Sequence, residues 1–148
     1  MSQSHQLFMV DTSLYAGVRR SPAIRAVVEA FNNAWQPATC VPLALELLHT
    51  TQTYRQFQRV TALVSSMENL GSDGVDQLAR QLQLGLWRSH RARAAGPVDI
   101  LVSAYAIAHD AVILHHDYDY GHVHKVDSRL GQLYIHDDGR LEGSHGAA

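Results

Sequence analysis

Four acidic side chains stand out by where the surrounding pattern puts them. Asp11 follows the apolar run Leu7-Phe8-Met9-Val10, and Asp117 follows Ala111-Val112-Ile113-Leu114 by way of His115 and His116. Both runs read as short buried strands, and ligands of open α/β sheets gather at the carboxyl ends of strands. If the two strands are parallel neighbours, both carboxylates face one crevice. Asp99 stands at the start of a helix just before the second strand, which brings it to the same edge. Glu46 is the only acid of its helix, set among Leu45, Leu47 and Leu48. Carboxylates crowded into one crevice repel and raise one another's pKa, and a hard divalent cation relieves the repulsion. Oxygen ligands of this kind suit Mg²⁺ or Mn²⁺. The chemistry would be metal-assisted attack of water on a phosphodiester. Each acid also has a structural alternative: an Asx-turn at Asp11, an N-cap at Asp99, a solvated helix edge at Glu46, a loop at Asp117 and Asp119. Spacing alone leaves these open.

Other reactive groups fit a site less well. His115, His116, His122 and His124 are of a type that binds zinc or nickel. His122 and His124 fall on different faces of a helix, however, and no i, i+4 histidine pair stands nearby. His109-Asp110 lacks the further ligands of a His-Asp phosphohydrolase and reads as the end of a helix. Cys40 has no activating base nearby in sequence. Arg88, Arg91 and Arg93 precede the break that leads to Asp99, so they are candidate phosphate contacts beside an acidic crevice. The alternative is a solvated helix end, where cations are favoured.

The elements that must position these groups follow from the rest of the chain. It has 148 residues, 46% of them hydrophobic, with a formal charge of −2. That suits one globular domain and excludes a mostly disordered chain. Charge near zero argues against tight charge-driven binding to long nucleic acid. A single cysteine excludes a disulfide framework and fits a reducing cytoplasm. No apolar run approaches the roughly 18 residues of a membrane span, and the N-terminus does not read as a signal peptide.

Ser21-Pro22 reads as N-cap and N1 of a helix carrying Ile24, Val27, Val28, Phe31 and Trp35. Ala38-Thr39-Cys40-Val41 is expected as a strand, and Pro42 opens a helix over Leu43 to His49. Tyr54, Phe57, Val60 and Val64 mark the next helix, and Val75, Leu78, Ala79, Leu82 and Leu86 another. Gly96-Pro97 precedes the helix of Asp99. Leu133-Tyr134-Ile135 is expected as an edge strand. Strands alternating with helices argue for an α/β domain with a parallel sheet. The domain is expected over residues 1–136, with a flexible tail over 137–148.

Val10-Asp11-Thr12-Ser13, the helix with Glu46, Val98-Asp99-Ile100-Leu101-Val102-Ser103-Ala104 and Leu114-His115-His116-Asp117-Tyr118-Asp119-Tyr120 together resemble the PIN domain. Within that family the pattern is most similar to the VapC-type toxins of bacterial toxin–antitoxin pairs, and the similarity spans residues 7 to 135. The resemblance implies a three-layer α/β/α domain around a central, mostly parallel sheet. It assigns Asp11, Glu46, Asp99 and Asp117 to the acids that hold Mg²⁺ or Mn²⁺, and Asp119 to a further acid of the closing motif. Thr12 and Ser13 match hydroxyl positions that support the first carboxylate or a water on the metal. It also implies a cytoplasmic homodimer, cleavage of RNA, and inhibition by a cognate antitoxin. That antitoxin would offer Arg or Lys to the crevice and apolar residues to the helix of Tyr54 and Phe57. The departures are Val-Ser-Ala-Tyr after Asp99 and the histidine pair before Asp117, neither of which removes an acid. The alternatives are a non-catalytic binding module of the same fold and a PIN nuclease of RNA maturation.

Overall fold

Strand β1 (Leu7–Val10) lies at the centre of the molecule, and the rest of the sheet grows outward from it on both sides. In the computed structural model, which describes residues 5–144, the order of elements continues with α1 (Thr12–Arg20), α2 (Pro22–Ala34), β2 (Gln36–Thr39), α3 (Val41–His49), α4 (Tyr54–Ser65) and β3 (Glu68–Asn69). The second half is α5 (Val75–Arg88), α6 (Pro97–His109), β4 (Val112–His115), α7 (Asp119–Val126), β5 (Gly131–Ile135) and β6 (Leu141–Ser144). The sheet order is β3-β2-β1-β4-β5-β6, parallel throughout except for β6, which runs antiparallel to β5. No helix among the described residues is long and apolar enough to cross a membrane.

Alternation along the strands divides the core in two. Phe8, Val112, Leu114, Leu133 and Ile135 turn to one face, where Leu14 of α1 and Ile24 of α2 cover them. Met9 and Ile113 turn to the other, against Leu82 and Leu86 of α5, Ile100, Val102 and Ala104 of α6, and Val123 of α7. Sheet strands covered on both faces are the reason these segments read as unbroken apolar runs. The result is a three-layer α/β/α sandwich.

Local signals start the helices. The Ser21 hydroxyl accepts from the Ile24 N–H with Pro22 following, and the Thr53 hydroxyl accepts from the Gln56 N–H. Helix α6 starts at Gly96-Pro97, is buried at six consecutive-turn positions including Ser103 and Tyr105, and ends where Asp110 takes the left-handed conformation. An α-helix this apolar sits inside the protein, not on it.

Several elements differ from the sequence-based expectations. Helix α1 begins immediately after Asp11, because the Asp11 side chain caps it by accepting from the Ser13 N–H. Strand β2 begins and ends two residues early, since Cys40 already stands at the N-cap of α3, which starts at Val41. Strand β5 is no edge strand: all five of its residues are buried, and it pairs with β4 and β6. Residues 137–144, expected as part of a flexible tail, form the turn and strand β6 of a hairpin, and 145–148 lie outside the described residues. Gly143 makes that pairing fit. Its φ is +145°, and a Cβ there would run into the Gln132 carbonyl.

Helices α5 and α7 touch where Gly85 lies under the Val126 side chain, in space a methyl group would take. Ala would otherwise favour the helix by about 0.5–1 kcal/mol. Gly85→Ala is therefore expected to lose roughly 1–3 kcal/mol through overpacking, read by urea denaturation. Adding Val126→Ala should recover part of that loss, which a purely local effect at position 85 would not allow.

Candidate active site

The registers place the carboxyl ends of β1 and β4 side by side, Val10 opposite Leu114. The Asp11 N–H donates to the Leu114 carbonyl at 2.9 Å, so the acid leaves β1 at the point where β4 turns toward Asp117. Ser13 ties the two strand ends together, donating its N–H to Asp11 Oδ2 at 3.1 Å while its hydroxyl accepts from the His116 N–H at 2.9 Å. Asp11 thus caps α1 at the edge where the two strands end, in place of the isolated turn its sequence offered.

Asp99 enters from the opposite layer, in the first turn of α6. Asp117 lies in the β4–α7 connection, and Asp119 is the first residue of α7, its N–H donating to Asp117 Oδ1 at 3.0 Å. One carboxylate oxygen from each of Asp99, Asp117 and Asp119 falls within 4.8 Å of the others. Burial, then the charges of Asp11, Asp117 and Asp119, push the Asp99 carboxyl up from 3.8 to about 7. Burial and the Asp117 charge raise Asp119 as well.

Tyr120, absent from the sequence-based candidates, joins the two sides of the crevice. Its hydroxyl donates to Asp11 Oδ1 at 2.7 Å and lies 3.2 Å from Asp99 Oδ1, and the side chain is fully buried. Burial and the two carboxylates hold the phenol far above its ordinary pKa, so it remains a donor. The signal available in the sequence was helical: Tyr120 and Val123, three apart, make the buried face of α7.

His115 supports the same corner. Its Nδ1 accepts from the Asp117 N–H at 3.2 Å, which leaves Nε2–H to donate to Gln132 Oε1 at 2.6 Å. Burial lowers the imidazole pKa, and this neutral tautomer satisfies both contacts.

Glu46 is half-buried in α3 and stands outside the group of three, yet its Oε2 is buried without a hydrogen-bond partner. An orphaned carboxylate oxygen and a carboxyl that resists ionisation are both groups that a cation would satisfy. The donors are all carboxylate oxygens, which suits a hard divalent ion. The residues present therefore fit a metal.

The remaining candidates separate. Thr12 is half-buried in the first turn of α1 beside Asp11. Arg88 ends α5, and Arg91 and Arg93 occupy the turn before α6, none of them in an ion pair among the described residues. The four histidines do not form a metal group: His116 Nδ1 contacts the Ile135 carbonyl and His124 Nδ1 the Leu130 carbonyl. Cys40 is buried, which pushes its thiol up to about 11. His109 Nε2 donates to the Gly71 carbonyl, and Asp110 closes α6.

No protein-family model matches the chain. Over 129 residues it is 28% identical to the VapC ribonuclease Mb1587 of Mycobacterium bovis, a match covering 81% of this chain and 93% of that protein. Its fold is similar to that of VapBC-1 from nontypeable Haemophilus influenzae, with a TM-score of 0.69 at 15% identity, over 87% of this chain and 98% of the other. It is also similar to VapBC-5 from Mycobacterium tuberculosis, a member of the VapBC family of toxin-antitoxin systems, with a TM-score of 0.60 at 18% identity, over 87% and 98% of the two chains. The chain is thus similar in sequence to VapC ribonucleases over most of its length, and it has the PIN-like fold of VapC-type toxins.

Proposed function

We propose that the chain is the toxin of a VapBC-like pair, an endoribonuclease that uses Mg²⁺ or Mn²⁺ to cut RNA at the acidic crevice and is neutralised by a cognate antitoxin. The convergence of Asp99, Asp117 and Asp119 within 4.8 Å, at the strand-end edge where Asp11 is also held, carries this reading. Sequence similarity to VapC ribonucleases supports the reaction class. The protein would act in the cytoplasm as a homodimer.

Asp11, Asp99, Asp117 and Asp119 would hold the cation, and Glu46 would complete the set from α3. When bound, a divalent ion supplies charge neutralisation at the phosphodiester and activation of water for in-line attack. Everything else is positioning by the protein. Ser13 N–H and the Tyr120 hydroxyl fix both oxygens of Asp11. The neutral His115 ring holds the Asp117 backbone, and Ser13 locks the two strand ends to each other. Arg88, Arg91 and Arg93 would offer cations to the phosphates beyond the scissile one. Single-stranded RNA fits such a crevice, since a small site does not read a duplex groove. The antitoxin would cover α4, where Tyr54, Phe57 and Leu63 are exposed. The solved VapBC complexes support that kind of partner.

Asp99→Asn and Asp117→Asn are each expected to lower Mn²⁺-dependent cleavage of single-stranded RNA by about a hundredfold or more, with an unchanged far-UV spectrum. Cleavage at the wild-type rate by both variants would refute the site. Tyr120→Phe keeps the buried ring and removes the donor to Asp11. By analogy with other residues that orient metal ligands, it should weaken Mn²⁺ affinity about 10- to 100-fold in titration calorimetry.

The raised pKa of Asp99 sets a pH dependence. Between about 4 and 7 the folded chain keeps a proton on Asp99 that the unfolded chain has lost, so this group makes metal-free stability fall as pH rises through that window. A cation competes with the same proton. Without metal, the melting temperature should therefore decline from pH 5 to pH 8. The gain on adding Mn²⁺ should be small at pH 5 and grow toward pH 8. In Asp99→Asn both trends should flatten.

A further inference from the structure

Beside the acidic crevice, between α7 and the β5–β6 hairpin, the structure has a pocket of about 330 Å³ that the acid chemistry does not use. Its walls carry rings already in order. Tyr118 and Tyr134 stack with centroids 4.7 Å apart and planes 19° apart, and His116 lies behind Tyr134 at 4.8 Å. Tyr134 is buried while Tyr118 is 67% exposed, so the column ends in a ring open to solvent. Tyr118 sits between Asp117 and Asp119 in the chain, and two of the three converging carboxylates therefore flank it.

Directional groups line the same pocket. Gln132 is oriented by the 2.6 Å contact of its carboxamide oxygen with His115 Nε2–H, which leaves the amide nitrogen as the donor end. His124 Nδ1–H lies 2.9 Å from the Leu130 carbonyl and 3.0 Å from Ser144 Oγ, so the Ser144 hydroxyl keeps its own proton to donate. Lys125, the chain's only lysine, borders the pocket and is exposed. A stacking face, paired donors and a cation one step from a phosphodiester-cutting centre define one ligand class. Unpaired bases are held in this way, by aromatic stacking and edge hydrogen bonds, with basic groups on the backbone.

We propose that this pocket is a nucleobase subsite. It takes an unpaired base of the RNA strand whose scissile phosphate lies at the acids, stacks it against Tyr118, reads its edge with Gln132 and Ser144, and sets Lys125 against a neighbouring phosphate. The inference rests on the ribonuclease reading and adds to it the residues that would choose the position of the cut.

The test uses the full chain and a short single-stranded RNA in which one abasic residue is moved position by position. Cleavage is followed with Mn²⁺, and binding of the labelled RNA with Ca²⁺ in its place. The wild type should lose efficiency most when one particular position is abasic. Tyr118→Ala should raise KM about 5- to 150-fold, the range for losing one base–aromatic stack, and should lose that positional penalty. Tyr118→Phe should restore both. Trp87→Ala, which removes an exposed ring from α5, should behave as wild type. If Tyr118→Ala cleaves with an unchanged KM, or keeps the abasic profile, the subsite is refuted while the ribonuclease reading stands. If the wild type binds RNA through Tyr118 without cutting it, the ribonuclease reading fails, and with it the pocket's role in placing a cut, while base stacking at Tyr118 stands. If it neither binds nor cuts, both fail.

Discussion

Like charges gathered in a space with little water govern this structure. Asp11, Asp99, Asp117 and Asp119 come from three separate segments, and nothing in their local conformations requires them to meet. Burial, and then their proximity, raises the free energy of the ionised state, as the upward shift of Asp99 to about 7 registers. A protein keeps such an arrangement only where the surrounding structure over-determines it. Here the counterweight is the sheet. Register between β1 and β4 fixes Asp11 against Leu114, and the apolar α6 cannot withdraw Asp99 from the crevice without exposing Ile100, Val102 and Ala104.

The Tyr120 hydroxyl makes the crowding tolerable without neutralising it. A phenol carries no charge, so it separates Asp11 from Asp99 without removing the negative potential that would attract a cation. The hydroxyl lies 2.7 Å from Asp11 Oδ1 and 3.2 Å from Asp99 Oδ1, so its shorter contact is with Asp11. The hydroxyl comes from α7, whose position depends on Val123 in the core and on the Gly85–Val126 contact with α5. Packing at that distant contact therefore bears on the geometry of the acids.

How much of this the sequence disclosed depends on whether the information was local. Strands β1 and β4 were legible because burial on both faces makes Leu7–Val10 and Val112–Leu114 unbroken apolar runs. Helices α2, α4 and α5 were legible from periodicity and their starts. Helix α1 was hidden because Asp-Thr-Ser reads as a turn, and the carboxylate that would make the turn instead caps a helix. Strand β3 has two residues and no pattern to read. The burial of β5 depends on β6, and β6 on the close approach of Gly143 to Gln132, a long-range fact that Leu-Glu-Gly-Ser does not reveal. Of the acids, Asp99 and Asp117 stand together in the structure, while Glu46 is distinguished by its orphaned oxygen and not by membership of the group. Tyr120 escaped notice because a single aromatic residue in a helix carries no chemistry until its hydroxyl has partners.

The histidines show why residue type alone misleads. Four of the ten, His115, His116, His122 and His124, invite a metal site of nitrogen ligands, yet a nitrogen that serves as a hydrogen-bond donor has no lone pair to give. His115 spends one nitrogen on the Asp117 backbone and the other on Gln132. His116 and His124 each turn Nδ1 to a backbone carbonyl. Bound in this way they are structural aromatics with polar edges. They fix the Asp117 loop, fill the space behind Tyr134 and hold Ser144 at the edge of the neighbouring pocket. The division follows from hardness: carboxylates face the crevice where a hard cation would sit, and the imidazoles, softer ligands, build the wall between that crevice and the rings beside it.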